Sequence, residues 1–321
     1  MTMTAAFAYL GALLASASDP PAYDSQTIKE AIEDGRLLKF QVDPHDRMTL
    51  PIEVTGGETL DFMIDTGAER SAISAEAARL LGYETLGEKT VVSFAGRASV
   101  ETVNIPSIRV SRRVLHDLEA LKFREAAIGA DGLLGIDSLA DQFVTFDFDD
   151  REMRLGKAPK FRTKGRRDEV VVDLVERDGR MVMSNAQVGK TRLDVMIDTG
   201  SGISIGNQML KRELMASGKI KRLRRLAMLT VTGEIVPIDY GLLRDVEIDG
   251  ITILRMPIAF ALSEPFEELG LADRPTLLLG MDVLRSFSEM SIDFRNRRAH
   301  FRAANASQYK PGALWGFVDR N

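Results

Sequence analysis

The chain contains no cysteine, which excludes disulfides, thiol catalysis, thiolate metal sites and a lipid-modified cysteine anchor. Histidine is almost as scarce: His45, His116 and His300 are the only three, and their wide separation gives no metal-ligand spacing. Neither sign of charge dominates, since 42 Lys and Arg stand against 47 Asp and Glu, and the net charge of -5 gives no footprint for a nucleic-acid partner. Apolar runs fall short of the roughly 20 residues that a membrane span needs. The first 18 residues carry no charged side chain, and the stretch Ala5 to Ala15 ends in the small-residue pattern Ala15-Ser16-Ala17. Residues 1–17 are therefore read as an export signal, which implies a periplasmic or secreted protein. What is present is ordinary soluble composition, 45% hydrophobic and 28% charged over 321 residues, enough for two modest cores.

Those two cores are written as a repeat. Arg47 to Gly67 aligns without gaps on Arg180 to Gly200 at an offset of 133, with ten of 21 positions identical. Each copy reads as a strand, a turn at Gly56 or Gly189, and a second strand with alternating apolar residues: Leu60, Phe62 and Ile64, or Leu193, Val195 and Ile197. Both second strands run into Asp-Thr-Gly. Further on, Leu133-Leu134-Gly135-Ile136-Asp137 recurs as Leu278-Leu279-Gly280-Met281-Asp282, and Asp147-Phe148 as Asp293-Phe294.

The organisation follows from this. Residues 18–46 form an N-terminal segment with a helical pattern from Ser25 to Asp34, closed by Gly35. Residues 47–155 form a first lobe and residues 180–301 a second. Residues 156–179 hold a basic interlobe linker and the first strand of the next lobe, with six cations between Gly156 and Arg167. Residues 302–321, with the only tryptophan at Trp315, are a C-terminal tail.

On its own Asp-Thr-Gly is a weak signal, common in turns. Two copies, each after an apolar strand and each with a later Leu-Leu-Gly partner, are a specific one. Ile64-Asp65-Thr66-Gly67-Ala68 and Ile197-Asp198-Thr199-Gly200-Ser201 make the chain resemble the pepsin and retropepsin superfamily of aspartic peptidases, closest to bacterial single-chain proteins with two retropepsin-like halves. The resemblance implies an all-β dominated, bilobal acid-protease fold: two duplicated, closed β-barrel-like lobes with a few short helices. It implies Asp65 and Asp198 as the catalytic pair, acting on an extended polypeptide without cofactor or metal, in a chain active as a monomer. It assigns support of the active-site loops to Thr66, Gly67, Thr199 and Gly200, while Ser71 and Ser204, which match at the repeat offset, are read as structural.

Two carboxylates suit this chemistry because a close pair shares one proton, leaving one member as base and the other as acid. A covering flap is also expected. Its candidates are Phe94, Gly96 and Arg97 in the run Val92 to Arg97, and Gly233 in Val231 to Glu234. Neither run has the tyrosine that pepsins carry there, which favours the retropepsin side. Ala68 lacks the hydroxyl by which Ser201 could support its carboxylate, so the first aspartate is expected to have the higher pKa.

Two other readings stand beside this one. A fold of the same kind could bind peptides without cleaving them. Alternatively, Gly202-Ile203-Ser204-Ile205-Gly206 matches the Gly-x-Ser-x-Gly nucleophile elbow, with His300 as the only later histidine. Against that elbow, Glu69 and Ile73 replace the glycines in the first copy while Ser71 is kept. Val188-Gly189-Lys190-Thr191 lacks the earlier glycine of a phosphate loop, and Asp147, Asp149 and Asp150 lack the spacing of a calcium loop.

Overall fold

The computed structural model describes residues 48–110, 113–139, 142–156, 169–177, 180–248, 251–261, 264–268 and 270–303, with the short segments 4–5, 37–39, 41–42 and 317–319. The helical pattern at residues 25–34, most of the basic linker and Trp315 lie outside these residues, as do residues 1–17, expected as an export signal, except Thr4–Ala5. That pair lies parallel to Val91–Val92.

Strand follows strand in two rings that match one for one. In the first, Met48–Val54 pairs with Thr59–Ile64, whose Phe62 to Ile64 runs parallel to Gly132–Leu134. Ala72–Ser74, Arg113–Phe123 and Gly96–Val110 follow in order, and the ring closes where Glu53 meets Arg109. In the second, Arg180–Val188, Thr191–Ile197, Thr276–Leu279, Ile205–Gly206, Ile251–Phe260 and Ile235–Ile248 repeat that order, and closure comes where Ala186 meets Ile248. Closure leaves the inward positions, Leu50, Phe62, Ile105 and Ile108 or Val188, Leu193, Leu243 and Ile253, nowhere to go but a core. The expected bilobal, mostly β architecture is present.

Local chemistry explains the joints. Gly56 and Gly57 take φ of 93° and 81°, and Gly189 takes 64°, the left-handed turns that let each first hairpin fold back. Among the described residues helices are few and short. Ser74 Oγ caps Ala75–Leu80 by accepting from Ala77 N at 3.0 Å, and Asn207 Oδ1 caps Gln208–Ala216 by accepting from Leu210 N at 2.8 Å.

A third sheet belongs to both halves, which the division into two lobes did not include. Phe143–Asp147 and Glu152–Gly156 from the first half and Phe287–Asp293 and Arg298–Ala303 from the second form its centre. Leu37–Lys39 and Glu169–Asp173 form its edges, while Val175–Arg177, just beyond, pairs with Arg180 to Val182 in the sheet of the second ring. In this sheet Thr145 pairs with Ser291, their hydroxyl oxygens 2.9 Å apart. The repeat that carries Asp147 onto Asp293 carries Thr145 onto Ser291, so an approximate two-fold axis passes between these two hydroxyls. Phe317–Asp319 of the tail pairs with Ile251–Ile253 of the second ring.

Candidate active site

The two Asp-Thr-Gly loops meet where the rings abut. Asp65 N and Asp198 N each donate to the second leucine carbonyl of the Leu-Leu-Gly strand beside them, Leu134 O and Leu279 O, at 3.0 Å. The chain then turns, and Gly67 N and Ala68 N converge on Asp65 Oδ1 at 2.8 and 3.0 Å. Gly200 N and Ser201 N converge on Asp198 Oδ1 at 3.1 Å each. Both carboxylates are fully buried, and Oδ2 of Asp65 has no hydrogen-bond partner among the protein atoms.

Each loop presses on the carboxylate of the other. A Cβ on Gly67 would stand 2.7 Å from Asp198 Cγ, and one on Gly200 would stand 2.2 Å from Asp65 Cγ. Glycine at these positions is thus a condition for bringing the two carboxyls together. The threonines tie the approach. Thr66 Oγ1 donates to Ile197 O at 2.9 Å and accepts from Thr199 N at 3.2 Å; Thr199 Oγ1 donates to Ile64 O at 2.9 Å and accepts from Thr66 N at 3.1 Å.

Beneath each loop lies a second brace. Asp137 accepts from Ser71 N at 3.0 Å and Ser71 Oγ at 2.7 Å, and Asp282 accepts from Ser204 N at 3.1 Å and Ser204 Oγ at 2.8 Å. The same hydroxyls accept from Gly135 N and Gly280 N, both at 3.1 Å. Gly135 and Gly280 are glycines because a Cβ there would meet the backbone of Arg70 at 2.6 Å or of Ile203 at 2.4 Å. Here the Leu-Leu-Gly signature finds its physical meaning: one backbone passes directly under another. Asp137 and Asp282 were missed as site residues, although their recurrence four positions after the first leucine was a visible signal.

Electrostatics follow burial. Asp65 is held well above the usual carboxylate range, by desolvation first and then by the charge of Asp198, with the N–H groups of Gly67 and Ala68 opposing. Burial also raises Asp137, against the donations of Ser71. It pushes Asp282 up to about 7, against those of Ser204.

At this point the first ring can be matched outside the molecule. Residues 51–141 match the family model described as gag-polyprotein putative aspartyl protease. No curated protein matches the chain. The matched stretch takes in Asp65-Thr66-Gly67, the hairpin Thr85–Val110 and the strand Gly132–Leu134, so the first lobe is similar to a retropepsin-like aspartyl protease domain. The second lobe lies outside that match but repeats its strand order and its loop.

The flap candidates fall on matching hairpins, with turns at Phe94-Ala95 and at Thr230 to Glu234. Gly96 and Gly233 take φ of 107° and 89°. The tips touch, Ser93 Oγ lying 3.1 Å from Thr232 Oγ1. Each tip seats its apolar residue in the opposite lobe. Phe94 joins the cluster of Met196, Ile205 and Phe266, its ring 6.1 Å from that of Phe266, and Val231 joins Met63, Ala68 and Ile128. Arg97 pairs with Glu268 of the second lobe. This cross-seating had no sequence signal, because it depends on which lobe each tip reaches.

Two expectations change. Ser201 Oγ donates to Ile203 O at 2.7 Å and not to Asp198, so the hydroxyl difference between Ala68 and Ser201 does not separate the two carboxylates. Ser204 is fully buried with its hydroxyl donated to Asp282, and His300 lies in the shared sheet opposite Ser291, so the elbow-like motif brings together no nucleophile and base. Among the described residues no cluster of three or more His, Asp or Glu could hold a metal ion.

Proposed function

We propose that the chain is an aspartic endopeptidase that hydrolyses a bond within an extended polypeptide, using a water activated between Asp65 and Asp198. The observation that carries this is the symmetry of the dyad: two buried carboxylates from two lobes, each held at Oδ1 by two backbone N–H groups and locked by reciprocal threonine bonds. The elevation of Asp65 by burial and by Asp198 favours a single shared proton over two charges. The proton is assigned to the pair and to neither residue alone.

In the reaction, the ionised member takes a proton from the water as its oxygen attacks the scissile carbonyl carbon, and the protonated member gives its proton to the carbonyl oxygen. Collapse of the gem-diol intermediate breaks the C–N bond: the departing nitrogen takes a proton from the dyad, one gem-diol hydroxyl gives its proton back to the dyad as the carbonyl re-forms, and the pair returns to its one-proton state. No covalent acyl-enzyme forms. Because the carboxylates are fully buried beneath hairpins seated in the opposite lobes, those hairpins must part before an extended chain can enter and close again to exclude bulk water.

Asp65→Asn and Asp198→Asn each should abolish cleavage of a mixed peptide library while leaving the circular dichroism spectrum unchanged. Near-normal turnover in either variant would refute the shared dyad. Wild-type protein that binds peptides and cuts none between acidic and neutral pH would make the fold a peptide-binding module instead. Both carboxylates lie in one chain, which supports activity as a monomer, and the signal-like composition of residues 1–17 supports action outside the cytoplasm.

A further inference from the structure

The strand Arg224–Leu229 is an outer edge of the second ring. It pairs on one side with Ile235 to Tyr240, and among the described residues no strand takes its other side. Edge strands of this kind present a row of backbone donors and acceptors that an extended peptide can complete. The four residues Arg224 to Ala227 are all exposed, so this ribbon has solvent on both faces.

Leading into it, Lys219 to Arg225 holds five cations and no acid in seven residues, within a chain of net charge -5. Ile220, buried, and Leu223 both pack toward Gly241, where a Cβ would stand 2.6 and 2.8 Å from their methyl carbons. The segment is thereby pinned to the ribbon with its cations outward. Lys221, Arg222, Arg224 and Arg225 are exposed and make no ion pair among the described residues, and Lys219 reaches only to 4.0 Å from Asp245. Several surface cations elsewhere are ion-paired, as in Lys89 with Glu119 at 2.6 Å, Lys211 with Asp239 at 2.6 Å and Arg302 with Glu289 at 3.0 Å; what sets this segment apart is the clustering of its cations with no acid between them. Four unmatched cations beside an open strand edge fit a partner that supplies both carboxylates and a backbone.

We propose that this edge docks an acidic, extended segment of the polypeptide substrate. The assignment of the docked segment to a substrate rests on the peptidase reading; the docking itself rests on the charge and the edge. The strand runs toward the turn Thr230 to Glu234, whose Val231 packs in one cluster with Ala68 beside the Asp65 loop. Arg225 and Thr230 are five residues apart, about 17 Å at ~3.3 Å per residue. An acidic block therefore lies roughly five or more residues from the scissile bond. An anionic lipid surface would meet the same charges and the exposed Leu226 and Ile235, but would leave the strand edge unused.

The test uses the full chain and its variant Arg222→Glu/Arg224→Glu/Arg225→Glu, all exposed positions, with a melting curve as the folding control. Fluorescence anisotropy is read with labelled peptides of alternating glutamate and valine or alternating serine and valine, and sedimentation with phosphatidylserine–phosphatidylcholine vesicles. The glutamate peptide should bind the wild type in a salt-sensitive way and lose about tenfold or more in the variant. The serine peptide should bind weakly to both, and cleavage of a short neutral peptide should be equal in both. Equal binding of the glutamate peptide by both proteins overturns the proposal. So does vesicle sedimentation that the variant loses without any peptide binding. Charge-dependent peptide binding in a protein that cuts nothing would sustain the docking surface and refute the peptidase reading.

Discussion

Replacing Thr199 by valine isolates the lock between the two loops. Valine keeps the branched shape and nearly the volume in a fully buried site but removes the hydroxyl. Two bonds go with it: the donation to Ile64 O at 2.9 Å and the acceptance from Thr66 N at 3.1 Å. The Thr66 N–H is left buried with its lobe-to-lobe acceptor gone, and leaving a buried group unmatched costs about 1–3 kcal/mol. With both bonds counted the expected loss is roughly 2–5 kcal/mol, a large part of the ~5–15 kcal/mol typical of a folded domain. Thr199→Ser keeps the hydroxyl and loses one methyl, about 1 kcal/mol. Equilibrium urea unfolding followed by circular dichroism measures the stabilities, and peptide cleavage measures the positioning. The valine variant should lose most of kcat and the serine variant should keep it. The double variant Thr66→Val/Thr199→Val should cost less than the sum of the singles, because the two hydroxyl oxygens lie 3.4 Å apart and act as one joint. A valine variant within about 0.5 kcal/mol of wild type, or a serine variant equally damaged, would refute the lock.

Gly200→Ala should disable cleavage, since its Cβ falls 2.2 Å from Asp65 Cγ, whereas Gly87→Ala, with nothing within 4 Å of the added carbon, should leave kcat unchanged; equal effects would dissociate the glycine from dyad spacing. Stability should depend on pH through Asp282, whose folded pKa is about 7 against an ordinary 3.8. The folded state then holds a proton that the unfolded chain releases, so this contribution is complete below about pH 4 and lost as pH rises through about 7, at most roughly 4 kcal/mol. Urea midpoints should fall from pH 5 to pH 8 in the wild type and fall less in Asp282→Asn, and parallel profiles would assign the dependence to other groups. Phe94→Ala should unseat the first hairpin, because removing a buried phenylalanine costs about 3–5 kcal/mol. Faster amide exchange over Val92 to Arg97 is the expected readout, and unchanged protection would show that the Phe266 contact does not hold the tip.

The sequence by itself determined the duplication, the strand that carries each aspartate and the identity of Asp65 and Asp198 as partners, since a repeat of ten identities in 21 positions is one-dimensional information. It also exposed Ser71 and Ser204 as supports, because a nucleophile elbow would have kept its glycines in both copies. Tertiary structure alone decided what each element meets. Thr66 bonds to Ile197 across 131 residues, Thr145 sits on the axis against Ser291, and Ser201 turns its hydroxyl to Ile203 instead of to the carboxylate it follows. Asp137 and Asp282 look like surface aspartates in a string of letters and become braces, the first half-buried and the second buried, only when one backbone passes beneath another. The same holds for Phe94 and Val231, whose alternation announces a hairpin but cannot announce that each tip is seated in the other lobe. Periodicity reports which side of a strand is apolar. The partner that covers it is set by how the two rings close and lie against each other.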